Sequence, residues 1–323
     1  MSPGSRVAVA VIMAVLALAG ADRPRAETYP SRPVTLVVPF AAGGGTDAVA
    51  RFVADALGRA LGGRVVIENR AGANGAPAAT FVARAAPDGY TLFMTTNTTH
   101  SVNPALMKEI GYDPVKDFAP VAQMGNHPFM LVIGRHLAAK SLGDLIAYAK
   151  ANPGKLTYGY GNGTGLVAAE TFKRMAGIDV LKVPYRSTPQ ALTDMVGGRL
   201  DMMFIDVTAG IGQVQAGAVQ AIGIANREGT ATLPDVPPVA SVLPGFDLVA
   251  WNGVFAPART SPEIVARLNA ELRRILEPEE NRRRLAAIGL DVRTGSPDDL
   301  GRLVTSELTV WSNLVREAGI ELE

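Results

Sequence analysis

Residues 34–47 read VTLVVPFAAGGGTD, and this stretch decides the fold. It begins with the run Val34 to Val38, which has the β-branched, apolar composition of a buried strand, and Pro39 closes that run. Three glycines follow at positions 43–45, and the spacing beyond them predicts a helix. A strand, a glycine-rich turn and a helix in succession form the building unit of α/β folds with largely parallel sheets.

The helix predicted after the glycines has one apolar face. Its apolar residues recur at i, i+3, i+4, i+7, i+8, i+11 and i+12, which places them on one side of a helix: Val49, Phe52, Val53, Ala56, Leu57, Ala60 and Leu61. We expect Thr46 or Asp47 to cap its N-terminus and Gly62-Gly63 to end it. Strands are predicted next, from residue 65 and over 91–95.

The second half of the chain repeats this plan without repeating the sequence. Residues 156–160 predict a strand, residues 161–165 (GNGTG) predict a glycine-rich turn, and helical spacing follows. Thr188-Pro189 is a strong helix start signal. The remaining apolar runs predict strands at 180–183, 200–205 and 220–225, and the tail predicts helices at 262–276, 278–287 and 297–318.

Two long segments, residues 118–133 and 246–258, are expected to connect two lobes. We therefore predict a two-lobed α/β fold, with two mixed sheets flanked by helices and a hinge between the lobes. Residues 22–124 are expected to form the first part of lobe one and residues 125–250 to form lobe two. Residues 251–323 are expected to return to lobe one with C-terminal helices.

The N-terminus has the order of a secretory signal peptide. Residues 1–6 carry one positive charge, residues 7–18 are an unbroken apolar run, and Ala19-Gly20-Ala21 is a small-x-small cleavage site. A membrane anchor is the alternative, but the run is shorter than the roughly 20 apolar residues of a spanning helix. We expect residues 1–21 to be removed during export, with cleavage after Ala26 as a second candidate.

Composition excludes several classes of function. Lysine and arginine number 31 against 30 aspartates and glutamates, so no basic excess exists to bind nucleic acid. The chain has no cysteine, which excludes disulfides, thiolate metal sites and a cysteine nucleophile. The histidines, His100, His127 and His136, lack the spacing of a zinc motif, and we expect the last two on the surface or at the hinge. We predict no metal and no cofactor.

The first glycine-rich turn is a candidate anion site. Backbone N–H groups at a helix N-terminus point into such a turn, and the helix dipole favours negative charge there. The dinucleotide fingerprint fails because position 48 is alanine, and the phosphate loop fails because it lacks a lysine. A plain tight turn is the alternative, and Asp47 is expected to cap the helix, although it could receive an amine or a water. The candidates here are Phe40, Ala42, Gly43, Gly44, Gly45, Thr46 and Asp47.

A second candidate site lies at the equivalent turn of the other half, at Asn162, Gly163 and Thr164. Ligands of open parallel sheets sit beyond the carboxyl ends of strands, where both turns fall. A nucleophile elbow is not supported, because Gly163 stands where serine would be required.

The polar cluster at 95–99 also follows a strand end, which adds Asn97, Thr98 and the neighbouring His100 as candidates. A loop that satisfies its own backbone is the alternative there. Arg186 follows the strand at 180–183 and could grip a carboxylate with two hydrogen bonds; a surface ion pair is the alternative. Asp206 ends the strand at 200–205, where it could face a cleft or cap the next segment.

The mature chain resembles the receptors of tripartite tricarboxylate transporters, also called Bug proteins, of Gram-negative bacteria. Each matching motif is weak alone, but their fixed order makes the resemblance specific. The motifs are Tyr29-Pro30-Ser31-Arg32-Pro33-Val34, Val38-Pro39-Phe40 with Gly43-Gly44-Gly45-Thr46-Asp47, Glu68-Asn69-Arg70, Pro87-Asp88-Gly89-Tyr90-Thr91-Leu92, Asn103-Pro104-Ala105-Leu106, Val183-Pro184-Tyr185-Arg186, Asp201-Met202-Met203-Phe204, Leu233-Pro234-Asp235-Val236-Pro237 and Phe255-Ala256-Pro257-Ala258.

The resemblance implies a periplasmic binding protein of type II-like fold that closes on a small organic acid and has no catalytic activity. It implies that backbone N–H groups and ordered waters hold the carboxylate, more than an arginine does. The implied partners are the large and small subunits of a membrane transporter. Together with the residues, it predicts a mono- or dicarboxylate ligand and a monomeric receptor.

The sequence departs from the family pattern at three places. Ser187 stands where glycine often follows Tyr-Arg, Ala71 stands where proline commonly follows Glu-Asn-Arg, and Ile205-Asp206 replaces a frequent Asp-Asn pair. Ser187 and Asp206 fall near the expected cleft, so these departures leave the identity of the ligand open.

Two other classes of function stay open on the sequence alone. A receptor that presents its ligand to a membrane signalling protein would use the same closed state. A two-lobed enzyme of similar fold would need a nucleophile paired with a base, a metal site or a cofactor lysine motif, and the sequence contains no such motif.

Export is the first testable prediction. Because residues 1–21 have the order of a signal peptide, N-terminal sequencing of periplasmic protein should begin at Asp22, or at Glu27 for the second cleavage site. Recovery of the full-length chain in the membrane fraction would identify the segment as an anchor instead.

Overall fold

The computed structural model describes residues 29–322. Residues 32–323 form one compact unit. The predicted signal peptide lies outside the described residues. Across residues 29–322, no helix combines the length and apolar character that a bilayer crossing requires.

Strands and helices alternate along the chain. The strands are β1 (Val34–Val38), β2 (Val65–Asn69), β3 (Thr91–Thr96), β4 (Phe118–Gly134), β5 (Thr157–Tyr160), β6 (Leu181–Pro184), β7 (Met202–Asp206), β8 (Val219–Ile224), β9 (Val249–Pro257) and β10 (Asp291–Val292). The α-helices are α1 (Gly45–Leu61), α2 (Ala76–Ala83), α3 (Asn103–Leu106), α4 (Leu142–Ala151), α5 (Gly163–Ala176), α6 (Thr188–Val196), α7 (Val207–Gln215), α8 (Pro262–Leu276), α9 (Glu279–Ala287) and α10 (Pro297–Glu317).

Strand β4 takes part in two sheets. From Phe118 to Pro128 it pairs antiparallel with β9, which continues the order β2-β1-β3-β9-β4. From Phe129 to Gly134 it lies between β7 and β8, and β7 continues to β5 and β6. Pairs β1–β2, β1–β3, β5–β6 and β5–β7 are parallel and the others are antiparallel, so both sheets are mixed. The prediction of a two-lobed α/β fold with two mixed sheets is confirmed.

The second sheet is covered on both faces, because its strands alternate between two apolar clusters. In β4, Leu131 and Ile133 join the cluster that contains Phe172 and Phe246, whereas Met130 and Val132 join the cluster beneath α6 and α7. Strand side chains alternate between faces with period two, so burial of both faces produces the continuous apolar runs seen in the sequence.

The first sheet has its own aromatic core. Phe93 stacks on Phe118 with ring centroids 5.9 Å apart, and Trp251 and Phe255 of β9 lie in the same cluster. Helix α1 buries part of its predicted apolar face, at Val49, Val53 and Leu57.

Helix α10 contributes to the cores of both lobes. Near its start, Leu300 and Val304 belong to the cluster of the first sheet, and near its end Trp311 and Val315 belong to a cluster of the second sheet. Ser296 and Asp299 form a capping box that fixes where the helix begins. One helix therefore packs against both lobes.

Candidate functional site

A cavity lies beyond the carboxyl ends of β1, β3, β5 and β7, between the two lobes. It has an empty volume of about 430 Å³, its open mouth included. Its lining contains one acid, Asp206, and no lysine or arginine. The lining residues are Phe40, Gly44, Gly45, Thr46, Thr96, Asn97, Thr98, His127, Phe129, Asn162, Thr164, Thr188, Pro189, Asp206, Ala250 and Asn252.

The N-terminus of α1 faces this cavity without a side-chain cap. The capping residue is Gly44, so the expectation that Thr46 or Asp47 caps the helix is wrong. Asp47 is buried and accepts hydrogen bonds from the Gly43 N–H at 2.9 Å, from Arg51 at 2.8 Å and from Asn69 at 3.0 Å. Because Asp47 bonds back into the turn, it leaves the helix start open to an anion.

These partners also keep Asp47 ionised. Burial alone would raise its pKa, but the hydrogen bonds from Gly43, Arg51 and Asn69 outweigh burial and lower the pKa below its ordinary value. Asp47 is not among the lining residues, so its negative charge braces the turn and does not meet the ligand.

Two more helix starts, those of α5 and α6, lie on the opposite wall. The Asn162 side-chain oxygen accepts from the Gly165 N–H at 2.8 Å and caps α5, while its amide nitrogen donates to Thr188 Oγ1 at 3.2 Å. The cap residue of α6, Ser187, makes no side-chain capping hydrogen bond. Glycine at position 161 permits the close approach of the α5 and α6 starts, because a Cβ there would lie 2.1 Å from the Thr188 nitrogen.

The two lobes touch across the cavity. Asn97 of lobe one donates to Thr164 Oγ1 at 3.1 Å, and the hydroxyls of Thr98 and Thr164 are 2.9 Å apart. A Cβ added to Gly45 would lie 1.9 Å from Asp206 Oδ1. Such close approach requires glycine at position 45, and it identifies this structure as a closed state.

Asp206 has both of the roles that its position suggested. Its Oδ1 accepts from the Ala209 N–H at 2.8 Å and caps α7, and the same carboxyl group lines the cavity. Burial raises the pKa of Asp206 to about 6, partly opposed by the hydrogen bonds from backbone N–H groups. An acid held there can take up a proton near neutral pH.

His127 also lines the cavity. It is buried, so the surface position that the sequence allowed is wrong, but it lies beside the point where β4 changes partners, as a hinge position would. Its Nδ1 lies 3.0 Å from Thr208 Oγ1, while its Nε2 is buried and has no hydrogen-bond partner. Burial lowers the pKa of His127 to about 3, so the ring is neutral at physiological pH.

The structure brings together nine of the candidates from the sequence. They are Phe40, Gly44, Gly45, Thr46, Asn97, Thr98, Asn162, Thr164 and Asp206. Ala42 and Gly43 lie on the exposed outer part of the turn and do not line the cavity. Gly163 instead faces Val102 and Leu106, where a Cβ would come within 3.0 and 3.1 Å of their side chains.

Two candidates lie well outside the lining. His100 is fully buried in the aromatic core of lobe one, where it stacks on Phe255 at 4.0 Å and hydrogen-bonds Thr99. Burial lowers the pKa of His100 to about 3, which keeps it neutral there. Arg186 is exposed and donates to the Ala71 carbonyl at 3.3 Å, so it joins the lobes at the surface, outside the cavity lining.

Sequence reasoning missed seven lining residues: Thr96, His127, Phe129, Thr188, Pro189, Ala250 and Asn252. The Thr188-Pro189 start signal was visible and could have placed a third helix N-terminus at the site. His127, Phe129, Ala250 and Asn252 come from β4 and β9, whose apolar patterns gave no sign of a cavity. Within residues 29–322, no three His, Asp or Glu side chains gather as metal ligands.

Two lobes joined by a shared strand and closed on a cavity of helix starts define a two-lobed solute-binding protein. The chain matches the model of the tripartite tricarboxylate transporter family receptor over residues 49–320, and it belongs to that family.

Solved structures of relatives have the same fold. The chain is similar to Rpa4515 of R. palustris with adipate, at 35% identity and a TM-score of 0.90, covering 91% of this chain and 100% of that one. It is similar to MatC (Rpa3494) of Rhodopseudomonas palustris with bound malate, at 36% identity and a TM-score of 0.84, covering 89% of this chain and 100% of that one. It is also similar to the periplasmic binding protein BugD, at 31% identity and a TM-score of 0.87, covering 91% of this chain and 100% of that one.

Substitution of Gly45 by alanine should prevent full closure. The added Cβ would meet Asp206 Oδ1 at 1.9 Å and Thr208 Cβ at 2.9 Å, both on the opposite wall. A clash of this kind costs about 1–3 kcal/mol, so titration calorimetry should show ligand affinity lowered by roughly fivefold to a hundredfold. The melting temperature without ligand should not fall, because the open state relieves the clash. Gly212→Ala on α7, where a Cβ meets nothing within 4 Å, is the matched control; equal affinities in both variants would show that closure does not need this contact.

Affinity for an anion should depend on pH through Asp206. In this closed structure burial raises the pKa of Asp206 to about 6, above its ordinary value, so the closed form favours the protonated carboxyl. Protonation of Asp206 therefore adds to the free energy that favours the closed form. This contribution is fully present below the ordinary pKa of the carboxyl and is lost as pH rises through about 6. Calorimetry at pH 6 in buffers of different ionisation enthalpy should therefore detect proton uptake on binding, and Asp206→Asn should abolish it. Uptake that persists in Asp206→Asn would assign the proton to another group.

Proposed function

We propose that this protein is an extracytoplasmic receptor that captures a small organic anion, a carboxylate, in the cleft between its lobes and delivers it to a membrane transporter of the tripartite tricarboxylate type. Binding and closure are its whole task in this proposal, with no chemical step on the ligand. Residues 1–21 would direct export to the periplasm, and the lobes would divide near residues 124 and 250.

The observation that carries this proposal is the uncapped N-terminus of α1 in the closed cleft. The first N–H groups of a helix need acceptors, and α1 has no side-chain cap at the cavity. The start of α6, also without a side-chain cap, lies on the opposite wall beside α5. A carboxylate between these helix starts would accept from backbone N–H groups and be favoured by the helix dipoles.

The relatives support the same ligand chemistry. Their structures contain adipate and malate, both small carboxylates, in proteins that share this fold over about nine-tenths of the chain. The cavity of this chain holds no lysine or arginine among its described lining residues. Backbone N–H groups are therefore the principal charge-compensating groups available for a carboxylate here.

The proposal can be tested with a thermal-shift screen of small organic acids. Selective binding to the folded state adds RT ln(1 + [L]/Kd), or about 2.7 kcal/mol at a hundredfold excess over Kd, which should raise the melting temperature by roughly 5 °C. At least one mono- or dicarboxylate should raise the melting temperature by this amount. The Thr46→Ala variant should bind that acid more weakly, by about 0.5–1.5 kcal/mol.

Two controls separate this mechanism from others. Thr193→Ala removes an exposed hydroxyl from α6 outside the cavity and should leave affinity unchanged. Arg186→Ala removes one exposed hydrogen bond between the lobes and should weaken affinity by no more than about 1 kcal/mol, whereas abolished binding in that variant would show a side-chain clamp. A screen in which only sugars, metals or nucleotides stabilise the protein would refute the proposed function.

A further inference from the structure

Buried polar atoms without partners gather on one side of the cavity. Asn252 is fully buried, and neither its Oδ1 nor its Nδ2 has a hydrogen-bond partner. His127 Nε2 and Asn97 Oδ1 are likewise buried and unpaired, and all three residues line the same cavity. Burial of a polar atom without a partner is costly, so four such atoms around one cavity indicate a site for a polar group that is not part of the protein.

These residues are held in place by the sheet. Asn252 of β9 pairs with Thr96 of β3 on one side and with Gly125 of β4 on the other. His127 lies two residues further along β4, and its ring is fixed by Thr208. The helix starts form the walls of the cleft. Asn252 and His127 on the central strands, together with Asn97 directly after β3, form what we call the floor.

The atoms on the floor can both donate and accept. The Asn252 amide offers one N–H₂ group and one carbonyl oxygen, and Asn97 offers a carbonyl oxygen. The neutral His127 ring offers Nε2 as a donor or an acceptor according to its tautomer. A hydroxyl or a primary amide has both functions and would satisfy this mixed set, whereas a methyl group would satisfy none of it.

Charge argues against a second carboxylate at the floor. Asp206 is the acid of the lining, and the lining contains no cationic side chain to compensate a further negative charge. The helix starts on the walls can serve one carboxylate. A second carboxylate at the floor would find only the neutral groups of Asn252, His127 and Asn97 as partners.

We propose that Asn252 and His127 are the specificity-determining residues of the cleft, and that they select a short monocarboxylate whose far end carries a neutral hydroxyl or amide group. This inference rests on the proposed function, since it takes a carboxylate at the helix starts as given. It narrows the ligand from organic acids in general to one class.

The test uses four acids with the same four-carbon chain, which differ only at the far end: butanoate, 4-hydroxybutanoate, succinamate and succinate. Their affinities are measured by titration calorimetry at neutral pH on the full-length mature protein after ligand is removed by unfolding and refolding. 4-Hydroxybutanoate and succinamate should each bind about tenfold more tightly than butanoate and than succinate, the ratio that one or two added hydrogen bonds give. Succinate as the tightest ligand would overturn the proposal.

Variants assign the selectivity to the two residues. Asn252→Leu keeps the shape of the side chain without its polar atoms, and it should bring the ratio of 4-hydroxybutanoate to butanoate affinity to about one. His127→Leu should lower the same ratio, and His127→Gln, which retains a polar end, should restore part of it. General damage to the cleft would weaken both acids and leave the ratio as it is, and that result would overturn the assignment.

The stability of the ligand-free protein gives a second readout. Replacement of an unpaired buried amide by an apolar group of the same shape removes a desolvation cost, so Asn252→Leu should raise the melting temperature while it removes selectivity. Asn226→Ala is the control, because Asn226 also has an unpaired buried oxygen but lies outside the cleft lining, and its ratio should equal that of the wild type. If none of the four acids binds, this proposal fails, whereas the proposed function fails only if the wider acid screen is also empty.

Discussion

One strand, β4, belongs to both sheets, and the geometry of the site depends on this sharing. Its 17 residues pair with β9 over the first part and with β7 and β8 over the second. The sheets on either side of this change of partner carry their own cores, so each lobe is held by apolar burial of its own. The cleft therefore opens where the strand changes partners, and its floor is built from the strand that holds the lobes together.

Hydrogen-bonding needs at helix N-termini are the physical basis for proposing an anion as the ligand of the cleft. Helices α4, α8 and α10 meet this need with serine caps at Ser141, Ser261 and Ser296. Of the helices that start at the cavity, α5 and α7 are capped by Asn162 and Asp206, whereas α1 and α6 have no side-chain cap. The difference keeps polar groups available for a ligand at some cost to the stability of the empty protein, which is common at functional sites.

Elements of the fold were predictable from the sequence because periodicity reports burial. The strand at Val34–Val38 and the helix at Pro262–Leu276 have the predicted bounds, and both glycine-rich turns lie at the cleft as expected. His100 was misplaced because the polar cluster after β3 continues into a π-helical turn, Thr98–Val102, which places the ring in the core. Asn252 was missed because one amide in an apolar strand gives no periodic signal. Its position at the cavity becomes visible only when β3, β4 and β9 are paired.

Helix α10 couples the packing of both lobes to the closure of the cleft. None of its residues lines the cavity, yet its two halves are anchored in the cores of different lobes. At 1.5 Å per residue such a helix is a stiff strut about 30 Å long, so the lobes cannot separate without strain along it or loss of contacts at one end. Apparent affinity scales with the fraction of molecules already in the competent closed form. Evolution could therefore tune how tightly this receptor holds its solute by repacking a helix that never touches it.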